Sequence, residues 1–138
     1  MQRRRSWPHN GIDADEYYQS FLVGEWKFAR EFLYYRHNKL IGVGLVDLVP
    51  SALSSVYFFH DPAWRPLGPG TFTLLQEIEF ARRNDRRWLY LGYWISECGS
   101  MSYKANFRPN EMLAEYIHDD VEPTWQRTAN SSFDHADF

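Results

Sequence analysis

The sequence is poor in cysteine. Cys98 is the only one among 138 residues, which excludes an internal disulfide and any multi-cysteine metal centre, and sets the expectation of a reducing cytoplasm. Long hydrophobic runs are also lacking. The longest, WLYLGYWI, is far short of the ~20 residues that a membrane helix needs, so no membrane partner is expected. The opening MQRRRSWPHN is basic, but no apolar stretch follows it, so it does not read as a signal peptide. Five histidines fall at no metal-ligand spacing, and no metal site is expected. No internal repeat is visible, and no strong excess of one charge. The formal charge is −3, and from Asp119 onward five acids face one arginine, which leaves the first 118 residues near neutral. A nucleic-acid contact must therefore come from a local patch.

What is present is a hydrophobic fraction of 44% and an aromatic fraction of 18%, enough for one sizeable core. Residues 1–12 read as a basic arm, 13–118 as the folded domain, and 119–138, polar and aperiodic, as a flexible acidic tail. Asp13 or Asp15 caps an expected helix over EYYQSFLVGEW, with Tyr17, Phe21 and Val23 toward one side. FAREFLYYR and KLIGVGLVDLV read as a β-hairpin turning near His37–Asn38–Lys39. Pro50 ends the second strand and SSVYFFH supplies a third. After the loop DPAWRPLGPG, the spacing of Phe72, Leu75, Ile78 and Ala81 predicts a helix core stripe, capped by Thr71 or Thr73. WLYLGYWI reads as a buried strand, followed by a helical turn at Met101–Ala105 and a strand near Met112–Ile117. The fold class is α/β (α+β), a mixed, mostly antiparallel twisted sheet flanked by helices.

Two stretches carry a resemblance. Arg65, Gly68 and Gly70 spell R-x-x-G-x-G between a strand and a helix, an arrangement similar to motif A of the GCN5-related N-acetyltransferases (GNAT), which hold acyl-CoA there. Pro66 and Pro69 each remove an N–H donor, so the motif supports the fold and argues against CoA binding. The second resemblance covers residues 13–113. LIGVGLVDLVPSALSSVYFFHDP, TFTLLQEIEFAR, YLGYWI and MSYKANFRP together resemble the C-terminal domain of arginyl-tRNA–protein transferases and their bacterial leucyl-transferring relatives. Those enzymes are N-acetyltransferase-like in fold. The resemblance implies transfer of arginine or leucine from aminoacyl-tRNA to the N-terminal amine of proteins beginning with aspartate or glutamate, which tags them for degradation by an N-degron pathway. It implies no cofactor beyond the aminoacyl-tRNA co-substrate. Family members carry an N-terminal domain before this one, so a separate chain supplying it is a further expected partner. The alternatives are an acyl-CoA-dependent N-acetyltransferase and an inactive truncated domain acting as a binding module.

An aminoacyl ester is already activated, so the chemistry asks for positioning, a proton acceptor and stabilisation of the oxyanion. No nucleophile signature stands out, which fits direct aminolysis. Tyr93, where its strand opens beside SSVYF, and Tyr57 on that neighbour are the hydroxyl candidates, with Ser55 expected on Tyr57's face. Asp47, interrupting an apolar strand, and Glu77 are candidates for a base or for binding an α-ammonium group; Glu77 also reads as a residue of the helix's wet face. Lys104, with Tyr103 and Arg108 beside it, suits an acidic side chain or a phosphate. Arg82, Arg83, Arg86 and Arg87 form one candidate tRNA patch and Arg3–Arg5 a second, although basic residues at a helix C-terminus also suit its dipole.

Overall fold

The computed structural model describes residues 13–22, 24 and 26–128, and the chain divides after Gly92 into two compact units. The expected arm at 1–12, with Arg3–Arg5, and residues 129–138 of the expected tail lie outside the described residues, as does Val23.

The first unit is a four-stranded sheet with one long helix. Its entry is a short helix, α1 (Ala14–Tyr17), that runs into a π-helical turn at Tyr18–Leu22, in place of a regular helix to Trp26. Asp13 caps it, accepting from the Glu16 N–H at 2.8 Å. Tyr17 and Phe21 do share a side, with ring centroids 5.3 Å apart, and Tyr17 meets Phe59 of the sheet edge-on at 5.0 Å. Strands β1 (Ala29–Arg36), β2 (Lys39–Val49) and β3 (Ala52–His60) form an antiparallel meander, and β4 (Trp88–Tyr90) adds parallel to β3. The β1–β2 turn is the two residues His37 (φ 48°) and Asn38 (φ 63°), both left-handed, the conformation whose twist matches a hairpin.

Helix α2 (Pro69–Arg83) makes the crossover from β3 to β4. Its N-cap is Gly68 in the left-handed region (φ 66°), followed by Pro69 at the first turn; neither Thr71 nor Thr73 caps it. The expected core stripe is corrected too. Phe72, Leu75 and Ile78 are exposed, while Thr73, Leu74, Glu77 and Ala81 are buried. The helix is rotated so that the 73–77–81 row faces the sheet. The hydroxyls on that face satisfy part of the carboxylate's hydrogen-bonding need, which lets it go inside where an apolar stripe was expected. Leu45, Val46, Ala52, Leu53, Leu74 and Ala81 form the apolar core.

A bulge shapes the middle of the sheet. Leu45 pairs with Tyr57, but Val46 pairs with Ser55, so Val56 is the extra residue. WLYLGYWI is not a buried strand. Only Trp88–Tyr90 pair, on the outer edge of the sheet, with Trp88 and Tyr90 half-exposed, and Gly92 beyond them is in the left-handed region (φ 71°). Continuous apolarity did not guarantee burial on both faces of an edge strand.

In the second unit a 3₁₀ turn spans Ser102–Asn106, and β5 (Glu111–Leu113) pairs antiparallel with β6 (Trp125–Arg127). A strand therefore lies in a segment that composition alone read as tail. Among the described residues, no helix is long and apolar enough to cross a membrane.

Candidate functional site

The parallel pairing of β3 with β4 ends at Ser54 and Tyr90, and Ser55 is the next residue on β3. Because of the bulge at Val56, Ser55 points toward α2, where its Oγ donates to Glu77 Oε1 at 3.3 Å. Thr73, one turn earlier on α2, donates to the same oxygen at 3.5 Å. Tyr34 of β1 bonds Thr73 through its hydroxyl at 2.6 Å. Four side chains from three elements thus form one chain, Tyr34–Thr73–Glu77–Ser55.

Room for it comes from β2. Gly44 lies beneath, and a Cβ there would stand 3.3 Å from Thr73 Oγ1 and 3.8 Å from Glu77 Oε1. Gly42, next on the same face, lies under the Trp64 ring, which is itself packed against Tyr34, Phe58 and Phe72.

Glu77 is 1% exposed, and its Oε2 has no hydrogen-bond partner among the described residues. Burial raises its carboxyl to about 7, against a smaller downward pull from the two hydroxyls. Burial, reinforced by the nearby Glu77 charge, raises the Tyr34 phenol, with the Thr73 bond opposing it. Glu77 is therefore not on the wet face of its helix. It is a half-satisfied buried carboxylate, connected to the partly exposed Ser55.

Tyr57 and Asp47 belong to the other face of the sheet. Tyr57 packs against Phe59 with the rings tilted and centroids 4.5 Å apart, and approaches Phe21 at 6.2 Å; it does not share a face with Ser55, because the bulge separates them. Strand alternation puts Asp47 on that face with Leu45 and Glu31, and partial burial raises its carboxyl. A shallow hollow of about 220 Å³ opens there, walled by Phe21, Leu22, Trp26 and Leu45 with Glu31 at its side. Tyr17 donates to Glu31 at 2.8 Å.

In the second unit Lys104 reaches back to donate to the Tyr93 carbonyl at 3.0 Å, and desolvation lowers its ammonium. Tyr93 itself is 82% exposed. Tyr103 precedes Lys104 directly and Arg108 follows it by four residues, and both make interactions of their own. Cys98 bonds the Ser100 hydroxyl at 3.1 Å, which lowers its thiol.

The four arginines in the last turn of α2 and just after it have structural partners. Arg82 and Arg83 bind Glu79 at 2.9 and 2.6 Å and hold its carboxyl at about 2. Arg86 donates to the Pro50 carbonyl, and Arg87 lies 5.1 Å above the Trp88 ring. Among the described residues no three His, Cys, Asp or Glu side chains gather to hold a metal ion.

Tyr34 and Thr73 were not legible as site residues. Thr73 carried one signal, its four-residue spacing from Glu77, and the glycines of GVG in β2 carried another. Tyr34 carried none until the strand register was known.

Comparison with known proteins agrees with this architecture. Residues 2–114 match the family described as "Arginine-tRNA-protein transferase, C terminus". An aspartate/glutamate leucyltransferase of Campylobacter jejuni is 35% identical over 113 residues, 82% of this chain and 47% of that protein. The same-named protein of Aeromonas hydrophila is 43% identical over 98 residues, 71% of this chain and 41% of that one. The chain spans about half the length of the curated relatives it matches. Among solved structures, the ribosomal-protein-S18-alanine N-acetyltransferase from Escherichia coli superposes with a TM-score of 0.59 at 14% identity, over 83% of this chain and 80% of that one. That likeness establishes an N-acetyltransferase-like fold. The match across most of the chain establishes the family: this protein belongs to the arginine-tRNA–protein transferases, in the region of their C-terminal part.

Proposed function

We propose that this chain transfers an amino acid from aminoacyl-tRNA to the N-terminal amine of proteins that begin with aspartate or glutamate. The observation that carries this reading is the family match over residues 2–114. Leucine is the first donor to expect, because the relatives at 35% and 43% identity are named leucyltransferases; the family's own description favours arginine as the second. The tagged proteins would be directed to degradation, and the setting would be the cytoplasm.

The reaction is direct aminolysis. An α-amine with an ordinary pKa near 7.7–8.0 is partly free base at neutral pH and attacks the ester carbonyl without a covalent enzyme intermediate. A C–N bond forms and the C–O bond to the ribose breaks. Hydroxyls and carboxylates then have two tasks, to bind the ammonium groups and to move one proton. Tyr57 and Asp47 are candidates on one face of the sheet, and Ser55 and Glu77 on the other. Tyr93 is the second hydroxyl candidate, and Lys104, with Tyr103 and Arg108, is a candidate for meeting the acceptor's acidic side chain. The exposed Arg82 and Arg83 retain outward guanidinium edges for phosphate, and Arg86 and Arg87 complete the candidate patch. No cofactor is part of this reading.

The test uses three peptides, beginning with aspartate, alanine and Nα-acetylated aspartate, each incubated with the protein and leucyl- or arginyl-tRNA. Mass spectrometry should find one added residue on the first peptide alone. Equal addition to the alanine peptide would contradict the acceptor assignment, and addition to the blocked peptide would contradict the N-terminal amine as the site.

A further inference from the structure

The Tyr34–Thr73–Glu77–Ser55 chain is built unevenly. Both hydroxyl donors converge on Oε1 of Glu77, while Oε2 is buried and has no partner among the described residues. A carboxylate serving only to hold α2 on the sheet would be better satisfied through both oxygens, since an unpaired buried acceptor costs ~1–3 kcal/mol. A carboxylate left half-satisfied is a stronger proton acceptor, because fewer bonds stabilise its charged form. Its outlet is defined as well. Glu77 is closed to solvent but Ser55 is partly exposed, one residue beyond the last pair joining β3 to β4. The bulge at Val56 is what turns Ser55 toward α2.

We propose that Glu77, acting through Ser55, is the proton acceptor of the transfer reaction. This rests on the aminoacyl-transfer reading above. As the acceptor nitrogen bonds the ester carbonyl carbon, its surplus proton passes to Ser55 Oγ while Ser55's own proton passes to Glu77 Oε1. When the C–O bond breaks, the electron pair goes to the ribose oxygen, and the proton returns along the same chain to that oxygen. Glu77 and Ser55 end as they began. Glu77 is a positioning residue in this scheme, and Ser55 is the group that meets the substrate. Thr73 holds Oε1 from the same helix and Tyr34 holds Thr73 from β1, while β2 presents Gly44 beneath Thr73 and Glu77. Tyr34 is the one titratable group described against Glu77, and it stays neutral, its phenol being raised further.

The experiment is the pH dependence of kcat/KM for an aspartate-initiated peptide, with wild type, Glu77→Gln, Ser55→Ala and Ser55→Thr. Two groups must be deprotonated, the amine and Glu77, so the wild-type profile should fall with slope two on its acid side. Glu77→Gln should lose about 100-fold at neutral pH, a typical general-base contribution, and fall with slope one. Ser55→Ala should lose a similar factor, and Ser55→Thr, which restores the hydroxyl, should recover at least about tenfold of it. Thermal unfolding checks that each variant is folded; if Glu77→Gln is not, the Ser55 pair decides alone. Full activity of Glu77→Gln or Ser55→Ala overturns the proposal, and so does a loss that leaves the acid slope at two. No product from wild type with either donor overturns the transfer reading, and this proposal with it.

Discussion

Glu77 has a consequence for stability that does not depend on any assay of activity. Its carboxyl rises from an ordinary 4.5 to about 7 on folding, chiefly because burial penalises the charge. Between those values the folded chain keeps a proton that the unfolded chain has released. Stability from this group is therefore full below pH 4.5, falls as pH rises through the window, and is lost above about 7. The span corresponds to ~3 kcal/mol at most. Denaturant unfolding of wild type against Glu77→Gln, at pH 5 and at pH 8, isolates it. Wild type should lose on the order of 2–3 kcal/mol relative to the variant over that range; a constant difference would mean the carboxyl titrates normally. Sequence reading could name Glu77 but not its environment. Its neighbours in sequence are Gln76 and Ile78, and what decides its protonation is burial against the sheet, with the hydroxyls of Ser55 on β3 and of Thr73 one turn earlier on its own helix.

At the scale of the element, short-range signals were legible where the chain's own backbone chemistry decides. Asp13 caps α1, Pro50 ends β2, and the hairpin turns at His37–Asn38, where asparagine tolerates the left-handed conformation. The rotation of α2 was not legible. Phe72, Leu75 and Ile78 satisfy a helical stripe as well as Thr73, Glu77 and Ala81 do, and hydrophobicity alone selects the wrong one. The glycines of β2 now explain the close approach. Gly42→Ala would put a Cβ 2.6 Å from Cζ3 of Trp64, a ring packed among Tyr34, Phe58, His60 and Phe72, and should cost about 1–3 kcal/mol. A lowered denaturation midpoint at unchanged slope would register it, and an unchanged midpoint would show that Trp64 yields freely. Arg86 separates structure from binding in the same way. Its bond to the Pro50 carbonyl ties the end of α2 to the β2–β3 turn. Arg86→Ala should therefore destabilise the fold by about 1–2 kcal/mol, measured by the same unfolding midpoint. Stability equal to wild type would free Arg86 for the phosphate role.

For the molecule as a whole, the family and fold were readable because they are spread across many residues. The block MSYKANFRP, the SSVYFF strand and the helix after GPG jointly identify them, whatever the rotation of any one element. The grouping of site residues was not readable, because it depends on one extra residue, Val56. Without that bulge Ser55 and Tyr57 would share a face. With it, Ser55 joins Glu77 while Tyr57 joins the aromatic face of Phe59 and Phe21. Both the alternative acyl donor and the alternative amino acid can be judged in a single vessel. Leucyl-tRNA, arginyl-tRNA and acetyl-CoA are supplied together with an aspartate-initiated peptide, and the intact mass of the peptide is followed over time. The account requires the gain of one leucine or one arginine, dependent on this protein. Gain of an acetyl group, or no gain beside an active transferase run in parallel, would contradict it.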